Sequence, residues 1–216
     1  MATIVAQRVA GGLSQVLKPD DGVWSRAQPQ TIALAPTPIG FQPSVYVVAA
    51  WRDRPYGLLS DLEVRAVHTG DELAFRLEWA EPQPVTQPDD LDIFADGAAL
   101  LFPMDGVDAP IESMGSPAKP VNAWYWRANL TAAIHATGQG AGSSLRLDDG
   151  AVSGVGRWAS GRWRVVLARA FSTPGGVQIA APGTVNASFA VWRGANQERA
   201  GIKAFGQTWH EIRLEG

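Results

Sequence analysis

The chain has no cysteine. That excludes disulfides, thiolate zinc sites, iron–sulfur ligation and covalent haem attachment through a C-x-x-C-H motif. It leaves the redox compartment open, because a cysteine-free chain is compatible with any of them. Lysine is almost as scarce, with only Lys18, Lys119 and Lys203, and there are three methionines, of which Met1 is the first residue. The formal net charge of −3 and a pI near 5.6 provide no basic stripe, which argues against a nucleic-acid partner. Apolar runs such as "VYVVAAW" at 45–51 are far shorter than the ~18 residues a membrane span requires. The opening "MATIVAQRVAGGLSQ" has one arginine and a broken apolar stretch, so it does not read as a secretory signal peptide. The three histidines, His68, His135 and His210, share no H-x-x-x-H spacing, and no G-x-S-x-G, Walker or dinucleotide motif occurs. Aspartate pairs at 20–21, 89–90 and 148–149 read as turns, and no carboxylate pair suits acid–base hydrolysis.

What is present is glycine, proline and tryptophan in quantity. Of 216 residues, 23 are Gly, 15 Pro and 9 Trp, and 46% are hydrophobic. The turn formers punctuate the chain at the intervals of an all-β sandwich, and a chain of this length buries about 70% of its unfolded surface without staples. The dominant period is two. "ELAFRLEWA" at 72–80 puts Leu73, Phe75, Leu77 and Trp79 on one face, and with "DLEVRAVH" and the turn at 69–72 it predicts a hairpin over 61–80. "GVGRWASGRWRVVLARAF" predicts a second hairpin with Ser160-Gly161 at its tip. Strands are expected at 30–36, 44–51, 185–194 and 208–216, and another within 92–103 ending at Pro103. No 10-residue window carries a helical stripe, and the best short candidate is "NLTAAIHA" at 129–136. The Pro-rich stretch 81–91 has the composition of a linker. The strands on either side of it supply one sheet's worth of material, so the expectation is a single domain, 1–216.

Two residues stand out chemically. Met114 lies in "MGSPAKPVNAWYWRA", a Gly/Pro loop leading into an alternating aromatic strand. There it serves either as filler of a buried loop or as a soft ligand, which suits haem iron and raises its potential. Lys203, in "ERAGIKAFG", sits between Gly201 and Gly206. An amine binds iron only when neutral, so such a role needs desolvation, whereas a lysine near a turn is ordinarily solvated. Trp79, Trp163 and Trp192 read as core or sheet-face residues. Trp124 and Trp126 share a face of their strand, either as packing or as a flat platform for a sugar or a macrocycle.

"ESMGSPAKPVNAWYWRA" and "FAVWRGANQERAGIKAFGQTW" together resemble the gamma subunit of ethylbenzene dehydrogenase and its relatives in the type II dimethyl sulfoxide reductase family of molybdenum enzymes. "GVWSRAQ", "FADGAALLFP" and the hairpin around "GRWRVVLARAF" extend the likeness over nearly the whole chain. The resemblance implies an antiparallel β-sandwich with a haem pocket, few short helices and one non-covalent haem b. By match of motif, the iron ligands would be Met114 and Lys203, the lysine motif being the more variable within the family. Gly115, Asn122, Trp124 and Phe205 would line the cofactor, and arginines such as Arg127 and Arg199 are candidates for its propionates. It further implies a heterotrimer with an iron–sulfur beta subunit and a molybdopterin alpha subunit, and a soluble acceptor such as cytochrome c. This chain would carry electrons and perform no catalytic chemistry of its own. Its expected location is the periplasm, reached by co-export with a partner bearing a twin-arginine signal. The rival expectations are a haem-free, tryptophan-rich binding module for carbohydrate or a partner protein, and a purely structural subunit whose aromatic face is an interface. A free-standing hydrolase lacks any nucleophile–base arrangement.

Overall fold

The computed structural model describes residues 3–89 and 91–216. In chain order the elements are β1 (Ile4–Arg8), α1 (Leu13–Val16), β2 (Gln30–Ala33), β3 (Ala35–Pro36), α2 (Val45–Trp51), β4 (Asp61–His68), β5 (Glu72–Ala80), β6 (Gly97–Pro103), β7 (Val121–Arg127), β8 (Ile134–Gly138), β9 (Leu145–Arg146), β10 (Val152–Ala159), β11 (Arg162–Ala170), β12 (Gly183–Trp192), β13 (Ala204–Phe205) and β14 (His210–Leu214). Both predicted hairpins form, β4–β5 and β10–β11, with Ser160 and Gly161 at positive φ in the second turn. Asp89 makes an isolated bridge to Ile93, and the remainder of the 89–90 pair lies outside the described residues.

The strands run β10-β11-β5-β4-β1-β14-β12-β6-β7-β8-β9, one continuous sheet that closes over itself as a sandwich. Most pairings are antiparallel, as expected. The exceptions are at β1, which runs parallel to both β4 and β14 and splices the two layers. The layers meet over a large apolar core. Its centre is aromatic: Phe75 lies 6.2 Å from Phe102, 6.2 Å from Trp124 and 6.1 Å from Phe189 in tilted or edge-on contacts. Trp126 of β7 reaches across to β10, where a Cβ at Gly156 would lie 2.1 Å from its ring. The glycines of "VSGVGRW" are therefore the socket for that ring.

Two expected elements differ. Residues 44–51 form the helix α2 and not a strand. A run of seven apolar residues has no alternation to favour one state, and among the described residues no strand pairs with it. Residues 129–136 form a turn that enters strand β8 and not a helix, because Ile134–Gly138 pair with β7.

Candidate functional site

The parity of the second layer sets the site. Along β7, residues 122, 124 and 126 point into the sandwich, so 121, 123, 125 and 127 point out. Register carries this across the sheet: Ala190 of β12, Ala99 of β6 and Tyr125 of β7 stand side by side, as do Ser188, Leu101 and Ala123. The outer face therefore has a shallow floor of Ala99, Ala123 and Ala190, bordered by Leu101, Tyr125, Trp192 and Phe205. Tyr125 and Trp192 pack edge-on with ring centroids 5.2 Å apart. Small side chains let a flat ligand approach a sheet closely, though neighbouring protein already covers much of this floor, its alanines being 6–9% exposed.

Met114 approaches this face from one end. Together with Trp192 and Leu101 it packs against a satellite apolar cluster containing Val121, Ala190, Phe205 and Trp209. Its backbone is left-handed, φ 60°, and Gly115 follows at φ +83°. The loop is tied down by Met114 N–H to the Ile111 carbonyl at 3.0 Å, Gly115 N–H to Pro110 at 2.8 Å and Gly140 N–H to the Met114 carbonyl at 3.2 Å. A Cβ at Gly115 would lie 2.7 Å from the Lys119 carbonyl oxygen, so the glycine is required by close approach as well as by φ. Met114 has no such excuse. A left-handed conformation costs a side-chain-bearing residue roughly 1–2 kcal/mol, and glycine would avoid it. Retaining methionine there points to a use for the thioether.

Lys203 approaches from the other end. It is 8% exposed, and its Nζ lies 5.6 Å from the centroid of the Trp192 ring. Among the described residues the amine makes no hydrogen bond or ion pair, and burial alone lowers its pKa to about 8. The consequence can be measured. Below pH 8 folded and unfolded chains both carry this proton, and the fold bears the full cost of a buried charge. Between about 8 and 10.5 only the unfolded chain is protonated, so stability rises with pH across that window. Lys203→Met keeps the length and removes the charge. The variant is expected to exceed the wild type by up to roughly 3 kcal/mol at pH 7 and to lose the rise toward pH 10.5. Urea unfolding at both pH values checks it.

The segment carrying α2 spans both loops. Gln42 Nε2 donates to the Gly201 carbonyl at 3.0 Å, and Pro43 lies under Gly142, in the turn whose Gly140 holds the Met114 carbonyl. None of the seven apolar residues of α2 is buried, and Val45 and Tyr46 are 77% and 83% exposed. Apolar residues bridging the two loops and left unburied by protein suit the wall of an apolar ligand site.

Of the residues expected at the cofactor, Met114, Gly115, Lys203 and Phe205 gather on this face. Asn122 and Trp124 do not. They face inward, where Asn122 Nδ2 meets His135 Nε2 at 2.8 Å, its Oδ1 accepts from Arg169 at 3.0 Å, and Trp124 lies under the Arg169 guanidinium at 5.1 Å. Burial depresses Arg169 to about 10. Asp149 completes that cluster by contacting His135 Nδ1 at 2.6 Å. Arg127 is on the outer face beside Tyr125, with a buried Nε that finds no partner among the described residues. Arg199 is exposed and stacks over Phe94 at 4.6 Å. Trp192, Tyr125 and the alanine floor were missed by sequence reasoning. The only signal was their shared parity on strands β6, β7 and β12. Among the described residues no group of three or more His, Cys, Asp or Glu could hold a metal ion.

The family model for ethylbenzene dehydrogenase matches residues 21–147 and 142–204. The chain belongs to the ethylbenzene dehydrogenase family. It is 33% identical to chlorate reductase subunit gamma of Ideonella dechloratans over 95% of this chain and 82% of that one. It is 29% identical to dimethylsulfide dehydrogenase subunit gamma of Rhodovulum sulfidophilum, covering 91% and 74%. A Haloferax mediterranei protein named for a respiratory nitrate reductase heme subunit is 32% identical over 70% of this chain and 55% of its own. In fold, this family member resembles a family 9 carbohydrate binding module from Caldicellulosiruptor kristjanssonii, solved with glucose. The TM-score is 0.54 at 10% identity, covering 100% of this chain and 96% of the other. That likeness concerns the β-sandwich alone. The matched region includes both Met114 and Lys203.

Proposed function

We propose that the chain is the electron-transfer subunit of a molybdenum oxidoreductase and holds one non-covalent haem b on its outer face, with Met114 and Lys203 as axial ligands. The observation that carries this reading is the pairing of two costly side chains on one apolar face. One is a methionine kept in a left-handed backbone, the other an amine buried without a partner. A haem iron would make use of both, because coordination takes a thioether and a neutral amine. The alanine floor, Trp192, Tyr125 and Phe205 would pack the macrocycle, and α2 would close over it. When bound, the haem supplies reversible one-electron chemistry. The protein's part would be to fix both ligands, exclude water and, by desolvation, make the lysine's proton easier to displace.

The relatives are subunits of larger enzymes, and a cysteine-free chain has no ligands for iron–sulfur clusters. The reading therefore assigns the relay to an iron–sulfur beta subunit and substrate chemistry to a molybdopterin alpha subunit, with a cytochrome c or similar acceptor outside. Periplasmic residence by co-export with a partner belongs to the same proposal. The carbohydrate-platform alternative is disfavoured by its own residues: Trp124 and Trp126 are 0% and 5% exposed and are packed in the core. The test is a visible spectrum of the purified chain before and after dithionite, with a pyridine haemochrome assay. A b-type spectrum at about one haem per chain is expected. A chain that stays colourless after haem is added would sink the proposal.

A further inference from the structure

Glu198 is 1% exposed, yet among the described residues no cation pairs with it at contact distance; its carboxylate is held by neutral donors. Oε1 accepts from Gly57 N–H at 2.8 Å and from Asn196 Nδ2 at 3.1 Å, and Oε2 accepts from Arg193 N–H at 2.9 Å. Burial raises its pKa, and the donated hydrogen bonds offset part of that rise. A buried carboxylate is costly unless its bonds accomplish something, so the groups it joins matter.

Gly57 is the first of them. Its φ is +60°, and a Cβ there would lie 2.7 Å from the Lys203 carbonyl oxygen and 2.6 Å from Pro36 Cα. The Gly57 backbone is thus seated directly on the peptide that carries the lysine, while Thr37 N–H donates to the same Lys203 carbonyl at 3.1 Å. Arg193 is the second. It directly follows Trp192, the ring beneath the lysine's amine, and Trp192 Nε1 donates to the Ala200 carbonyl at 3.0 Å within the lysine's own loop. One carboxylate therefore grips the chain on both sides of the lysine.

We infer that Glu198 is the positioning residue for Lys203, binding at once the backbone N–H that abuts the lysine's carbonyl and the one adjoining the tryptophan beneath its amine. The inference rests on the proposed role of Lys203 as a haem ligand, but the placement it describes exists in the haem-free chain and can be read there.

The experiment compares Glu198→Gln with Glu81→Gln in the full chain. Glu81 is also 1% exposed and holds the Arg193 guanidinium at 2.8 and 3.1 Å, but it contacts neither Gly57 nor the Arg193 N–H. In the haem-free proteins, the acetylation rate of Lys203 relative to the exposed Lys18 is followed by mass spectrometry. A rise of about tenfold or more is expected for Glu198→Gln and none for Glu81→Gln. Gly57→Ala attacks the same contact from the other side and should reproduce the rise if the glutamate variant fails to fold. In the haem-loaded proteins, Glu198→Gln should keep its haem while its ferric electron paramagnetic resonance spectrum gains a second species matching that of Lys203→Ala. Unchanged Lys203 acetylation in both Glu198→Gln and Gly57→Ala would overturn the inference, as would equal changes in Glu198→Gln and Glu81→Gln or a ferric spectrum identical to wild type. If the wild-type chain takes up no haem, the haem reading fails and the acetylation ratio still decides the positioning role.

Discussion

Met114→Gly is expected to abolish the wild-type haem spectrum while leaving the haem-free fold nearly as stable as before. The two halves of this result come from different physics. In the haem-free chain, glycine relieves a left-handed backbone at a gain of roughly 1–2 kcal/mol. It gives up the packing of a half-buried methionine against the cluster that includes Val121 and Phe205, a loss of similar size. Denaturation midpoints should therefore differ little. In the loaded chain, on the proposed reading, one of the two residues that would hold the iron is gone. Haem retention should fall by about tenfold or more, each tenfold being ~1.4 kcal/mol of binding. What remains bound should have a lower potential, because a methionine ligand favours the reduced iron, within the roughly 0.8 V over which axial ligands tune haem. Lys203→Ala should disturb the spectrum in its own way, with methionine ligation kept. Equal denaturation midpoints with an unchanged spectrum in Met114→Gly would remove the thioether from the iron.

The same two residues show how far the sequence can be read. Met114 stood out because its loop composition clashes with its side chain, and Lys203 because lysines are so few, but their pairing as ligands came from the family resemblance and is a proposal. Both hairpins were legible because alternation over eight or nine residues admits little but a half-buried strand. The failures have equally physical causes. The alternation in "VNAWYWR" establishes that residues 122, 124 and 126 share a face, but not whether that face meets the core or the ligand. The decision lies far away, in the glycines at 154 and 156 that leave room for Trp126, and in the Arg169–Asn122 contact that draws the polar member inward. The uniformly apolar 45–51 carries no alternation at all. It became a helix where, among the described residues, no strand pairs with it, and its unburied residues make sense once the Met114 and Lys203 loops are seen to touch its flanks.

Asp96→Ala should be the most damaging single change to the fold. Asp96 is 0% exposed and accepts three hydrogen bonds: Val85 N–H and Trp163 Nε1 at 2.9 Å on one oxygen, Gly194 N–H at 2.8 Å on the other. Burial holds its pKa above the usual carboxylate value, and those donors counter part of the penalty. Alanine leaves the buried Trp163 and Gly194 donors unpaired, at about 1–3 kcal/mol each, while the part-buried Val85 N–H can turn to water. The total is on the order of 2–6 kcal/mol, a large share of the 5–15 kcal/mol that stabilises an ordinary domain. Asp96→Asn keeps one acceptor oxygen and turns an amide against an N–H, so it should cost less. The damage should also be local to the site. The three donors come from β11, from the loop after β5 and from the turn that begins the lysine's loop, where Gly194 is so close to the Phe94 carbonyl that no side chain fits. Asp96 thus fastens the root of the Lys203 loop to the opposite layer of the sandwich. Urea denaturation of the haem-free variants gives the stability loss. Acetylation of Lys203 in whatever fraction of Asp96→Asn remains folded shows whether the loop has come free. A loss below about 1 kcal/mol in Asp96→Ala would mean that water replaces the carboxylate, and that the lysine loop is anchored by Glu198 and the Thr37 contact instead.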